Sequence, residues 1–183
     1  QNPENRRYLS PHTGTEPGVD LAPLVEYRAE LVAQRTRLIS QMRWRLHDLD
    51  ADIGPASLTT RTAGPRLAER LRTYPPSTLR TVLLATCDDL ERLTIKIKEL
   101  DRDIATHTHE LCPTLLAITG VGTITAATII AEISNPARIR NAAAFARLTG
   151  TAPIDVSSSN TNRQRLDFVV NVRVNTEIYT VAL

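Results

Sequence analysis

Apolar residues in the first half of the chain return every seven positions. Leu24, Leu31 and Leu38 form one row; Val25, Val32, Ile39 and Leu46 form a second; Met42 and Leu49 extend the stripe. Sevenfold recurrence is two turns of α-helix, so the spacing predicts one long helix with a single buried face. Asp20 is a suitable N-cap and Pro23 fits the first turn, where a missing N–H costs nothing. The stripe ends at Asp50. Gly54-Pro55 and Gly64-Pro65 then interrupt it, which predicts a linker over residues 51–76 holding a two-turn helix at 66–73. Pro75-Pro76-Ser77 reads as a stop followed by an N-cap. Beyond it Leu79, Leu83, Leu90, Leu93, Ile97, Leu100 and Ile104 keep a three-four spacing, predicting a second long helix. Two such helices suit either an antiparallel coiled-coil hairpin or a dimerising stalk. Arg28 and Arg35 fall at seam positions and make the seam imperfect near its start.

The pattern changes after Pro113. Residues 115–133, LLAITGVGTITAATIIAEI, give a short apolar helix, a Gly-Val-Gly turn and a helix apolar nearly all round, the helix-hairpin-helix arrangement. Gly120 and Gly122 are expected to let the turn take positive φ, with Val121 plugging the helix pair. Bare backbone N–H groups at the turn and at the start of the second helix can receive a DNA phosphate, with the Thr123 and Thr125 hydroxyls beside them. Gly120, Val121, Gly122 and Thr123 are therefore candidate DNA contacts of a kind that positions without reading sequence. Residues 141–148 form a further helix between an Asn141 cap and Gly150, with Phe145 in the core. The expected fold is mainly α: a loose lead-in over 1–19, a coiled-coil region over 20–110, and a small helical C-terminal domain over 111–183.

Composition narrows this picture. Aromatic residues make up 4% of the chain and there are only seven glycines, which disfavours a barrel or sandwich. Net charge is +2, yet the basic residues are twenty Arg against two Lys, and arginine is the better fork for phosphate. From residue 134 to 173 six arginines face only Asp155 and Asp167, whereas residues 88–103 are acidic on balance. Cys87 and Cys112 give no disulfide framework. His107 and His109 point to different sides of a helix and, with Cys112, lack a fourth ligand; they suit a solvated helix end. No apolar run reaches the roughly 18 residues of a membrane span, and no signal peptide is evident, so a cytoplasmic setting and no membrane partner are expected.

The polar stretch at residues 152–166, APIDVSSSNTNRQRL, sets three hydroxyls ahead of Arg163 and Arg165. Composition alone makes it a turn whose hydroxyls cap backbone groups.

Together, VDLAPLVEYRAELVAQRTRLISQMRWRLHDLD, LLAITGVGTITAATIIAEI, FARLTGTAPIDVSS and TNRQRL resemble the DEDD-type insertion-sequence transposases, relatives of Piv-like DNA invertases and of bridge-RNA-guided recombinases. The likeness runs in family order over most of residues 19–183. It implies DNA transposition, with an N-terminal RNase H-like domain whose acidic residues hold Mg²⁺, a coiled coil that mediates homo-oligomer assembly, and a C-terminal domain that supplies a serine. The family's Ser-Ser-Gly lands on Ser157, Ser158 and Ser159, with Ser159 in the glycine position. Ser158 is then the expected nucleophile and Ser157 the second choice, while Arg163 and Arg165 would neutralise the phosphate. DNA is the implied partner, and a guide RNA a further one in the RNA-guided members.

No carboxylate-bearing sheet is foreseen before Asp20 and the chain ends within an apolar helical pattern. The expectation is a bacterial transposase fragment that lacks the RNase H-like domain, holds no cofactor itself and is inactive alone. Two alternatives stand beside it: a non-catalytic helical module for DNA binding and oligomerisation, including a degenerate remnant, and a structural coiled-coil adaptor that ignores DNA.

Overall fold

The computed structural model describes residues 21–50, 53, 58–133, 139–158, 161–166 and 171–182, with residues 153–158 and 161–166 described by their backbone. Its elements are α1 (Ala22–Leu49), α2 (Ala63–Arg72), α3 (Thr78–Leu111), α4 (Pro113–Leu116), α5 (Thr123–Ile133), α6 (Ala142–Thr149), β1 (Pro153–Ser158), β2 (Thr161–Leu166) and α7 (Val172–Ala182). The chain is mainly helical and divides into two compact units, residues 26–103 and a second made of residues 1–25 with 104–183.

In the unit of residues 26–103, the heptad rows become the core. Ile39, Met42 and Leu46 of α1 share one buried cluster with Leu67, Ala68 and Leu71 of α2 and with Leu83, Cys87 and Leu90 of α3. Near the other end of the pair, Arg28 bonds Asp101 and Lys96 lies 5.1 Å from the centre of the Tyr27 ring. Early α1 thus meets late α3, and late α1 shares the core with early α3. The two helices run antiparallel within one chain. Arg28, the misfit of the apolar seam, is accommodated by this ion pair.

Helix boundaries follow local chemistry. Ser77 caps α3, its Oγ accepting from the Arg80 N–H at 3.1 Å. The predicted Asp20 cap lies outside the described residues. The 66–73 helix begins three residues earlier than its glycine-proline pair suggests, at Ala63. Pro65 sits in the first turn, where no intrahelical partner is needed for its nitrogen, so the pair starts the helix instead of breaking it. Gly64 permits close packing here, because a Cβ would stand 3.2 Å from the Cys87 carbonyl oxygen.

The other unit has its own small core. Leu21, Val25, Ile104, Ala127 and Ala131 are buried together, flanked by Ile124 and Ile130. The apolar sequence of α5 is explained by its surroundings: Ala126, Ala127, Thr128, Ile129 and Ala131 are all buried. Asn141 caps α6 by accepting from the Ala144 N–H at 2.8 Å, and Gly150 ends it in the left-handed region at φ 71°. Phe145 is half-buried.

Residues 153–166, for which the pattern predicts no regular element, pair as an antiparallel hairpin from Pro153↔Leu166 to Ser158↔Thr161. Ser157 and Ser158 therefore stand at the end of a strand. The small C-terminal domain expected to be helical thus includes two strands. Ile154 and Val156 alternate with Asp155 and Ser157, but β2 has no apolar residue before Leu166, so the period is too short to announce a strand.

Candidate nucleic-acid interface

Gly120 and Gly122 occupy the connection between α4 and α5, and they differ. Gly120 lies at φ 87°, and a Cβ there would stand 3.2 Å from the Val181 carbonyl oxygen of α7. It is needed both for backbone conformation and for room. Gly122 is not among the described glycines of positive φ, and a Cβ on it would meet nothing within 4 Å. The expectation that both glycines take positive φ is corrected: one residue in the left-handed region reverses the chain, and the next glycine stays free of that demand.

What Gly122 supplies is bare backbone at a helix start. Its carbonyl accepts the first α5 bond, from the Ala126 N–H at 2.9 Å. Gly122 is exposed, and Val121 and Thr123 are half-buried. The first turn of α5 holds no acidic residue, and the N-cap position has no side chain to satisfy the leading N–H groups. Such groups, at the positive end of the helix dipole, are a ready acceptor for an anion.

Thr125 is not available as foreseen. Its Oγ1 donates to Glu177 Oε2 at 2.6 Å. A carboxylate from α7 thus already complements this helix start on one side.

The rest of α7 is locked down by polar contacts invisible in the local sequence. Asn171 caps it, its Oδ1 accepting from the Val174 N–H at 3.2 Å, while its Nδ2 donates to Glu132 Oε2 at 2.7 Å. Arg173 Nη1 donates to Glu132 Oε1 at 2.9 Å. Asn175 Nδ2 reaches the Thr149 carbonyl of α6 at 2.9 Å, and Val174 is fully buried. Sequence reasoning missed Glu132, Asn171 and Glu177. Their partners lie 39 to 52 residues away, beyond the reach of any periodicity.

The remaining candidates sit on the hairpin. Ser157 pairs with Asn162 and Ser158 with Thr161. Arg163 is opposite Val156 and Arg165 opposite Ile154. The hairpin therefore brings both serines and both arginines into one short ladder. Ser159 lies outside the described residues.

The cysteines are free thiols. Burial pushes Cys87 up to about 11, with Asp88 adding to the rise and Arg72 opposing it, and burial also raises Cys112.

These parts form a unit in which an open helix start and a serine- and arginine-bearing hairpin share one small domain. Residues 112–183, less than half of the chain but the whole of this arrangement, match the family model described as Transposase IS116/IS110/IS902 family. No curated protein and no solved structure matches the chain. The match supports a transposase family for this region. Among the described residues, no helix is long and apolar enough to cross a membrane.

Proposed function

We propose that the chain belongs to an insertion-sequence transposase and that its C-terminal part engages duplex DNA through the backbone, without reading sequence. The observation that carries this is the coincidence of the transposase match with the open start of α5 at Gly122. Helix-hairpin-helix contacts of this kind use N–H groups on phosphate and leave base edges untouched. The antiparallel pair of α1 and α3 is the coiled-coil arm through which the protein assembles, leaving the outward face of α1 free.

The hairpin then provides the chemistry in the assembled enzyme. Attack by a serine hydroxyl on a phosphodiester forms a serine–phosphate bond and releases a sugar hydroxyl. Attack by a second sugar hydroxyl restores the phosphodiester and frees the serine. Ser158 is the better candidate by register: the rungs of Arg163 and Arg165 have the parity of the Ser158 rung, and Ser157 lies on the opposite parity. The arginines would neutralise charge on the transferring phosphoryl group. Mg²⁺ is implied by the family resemblance alone, for the acidic residues of an RNase H-like domain, and among the described residues no group of His, Cys, Asp or Glu is placed to hold a metal ion. No step here is routed through it.

The test is duplex binding by the full chain with labelled oligonucleotides of unrelated sequence. Affinity should be nearly the same for each and fall steeply with salt, as expected when phosphates are neutralised and counterions released. Ser158→Ala should bind as well as the wild type, because the hydroxyl is assigned to chemistry. Binding that ignores salt, or no binding at low salt, overturns the proposal in favour of a structural adaptor.

A further inference from the structure

Residues 31–47 of α1 include Arg35, Arg37, Arg43, Arg45 and His47, and no aspartate or glutamate. The inward stripe of this segment, Leu31, Ile39, Met42 and Leu46, is buried. On the outward side stands Trp44, the only tryptophan of the chain, 76% exposed. An indole normally covers a large apolar area on folding, so one left this open on a well-packed helix is available to a partner.

Helical geometry defines its neighbours. Arg37 lies two turns before Trp44 on the same stripe, about 10 Å along the axis. Arg43 and His47 flank it, and all three are exposed. Among the described residues none of the four arginines forms an ion pair. Asp48 borders the patch one turn further on, and Glu30 lies two turns before Arg37.

We propose that this face of α1 binds single-stranded DNA, one unpaired base stacking on the Trp44 indole while Arg37 and Arg43 take flanking phosphates. An aromatic platform among unpaired cations is the arrangement that holds single strands without reading sequence. A duplex offers no free base face to the indole. A second copy of this face would set arginines against arginines, so self-association is disfavoured by charge. The choice of DNA over RNA rests on the transposase reading; the site itself rests only on α1.

Trp44 also makes the test specific, because it is the only indole in the chain. Titration of the full chain with an oligothymidine of about 15 nucleotides should give saturable fluorescence quenching. Affinity should fall roughly tenfold between ~50 and ~200 mM salt. A duplex of equal length should leave the indole emission unchanged. By anisotropy of the labelled strand, Trp44→Ala should weaken binding about tenfold and Trp44→Phe should restore most of it. Arg37→Ala with Arg43→Ala should weaken binding and flatten the salt slope. These residues are on the surface, so circular dichroism should be unchanged.

Absence of quenching, or strand binding indifferent to Trp44→Ala, overturns the proposal. Oligouridine binding more than tenfold tighter than oligothymidine overturns the assignment to DNA. An emission shift that grows with protein concentration alone assigns the face to a second copy. Quenching without duplex binding would sink the proposed function and leave this site; duplex binding without quenching would do the reverse.

Discussion

At Gly120 the backbone lies at φ 87° with the Val181 carbonyl close by, whereas a Cβ on Gly122 would meet nothing within 4 Å. The two glycines should therefore answer substitution differently. Gly120→Ala forces a side chain into the left-handed region and against a carbonyl, and should cost ~1–3 kcal/mol. Gly122→Ala should cost under ~1 kcal/mol, since only the N-cap preference of α5 is touched. Urea melts of both variants check the difference. Glu177 gives a second residue-scale expectation. Its carboxylate accepts from Thr125 beside the helix start, and Glu177→Gln keeps an acceptor while removing the charge. Duplex affinity at low salt should rise about two- to fivefold, the scale of one charge at a helix terminus. Unchanged or weaker binding would mean that phosphate does not come near α5. Cys87 gives the pH dependence: its thiol is raised to about 11 in the fold against about 8.5 in an unfolded chain. The fold binds the proton more tightly, so this contribution is intact below about pH 8.5 and is lost as pH climbs toward 11. Denaturant midpoints across that window should decline less in Cys87→Ala than in the wild type.

Among the elements, the sequence spoke most clearly where burial is periodic. The rows through Ile39, Met42 and Leu46 and through Leu83 and Leu90 are the observed core, because one buried face on a helix leaves a three-four record in the residues. Caps were equally legible at Ser77, Asn141 and Gly150, since each is a local chemical need. Asn141→Ala should cost about 1 kcal/mol and Asn141→Ser only a few tenths, as thermal melts would show. The hairpin was not legible, since the apolar alternation of Ile154 and Val156 is only two residues long and β2 does not continue it. Nor was the anchoring of α7, because Glu132, Asn171 and Arg173 meet only after the chain has folded back. Glu132→Ala removes acceptors from both partners and should destabilise this unit by ~1–2 kcal/mol. Glu132→Gln retains the Asn171 bond and should cost less, because an ion pair with Arg173 at the surface is worth little.

At the scale of the whole molecule the two units differ in what they carry. Residues 26–103 build the antiparallel helical pair, and the second unit carries the transposase match with the open α5 start and the hairpin. The candidate serines and arginines could be named from sequence through a family likeness; their shared ladder could not. The central claim is that the second unit grips the DNA backbone at Gly122. Its most direct test is Gly122→Glu in the full chain, a position where a side chain has room and no strain arises. If the claim holds, affinity for an arbitrary duplex at low salt falls at least tenfold while the thermal melt shifts little. Wild-type affinity in the Gly122→Glu protein, with its fold intact, would contradict it.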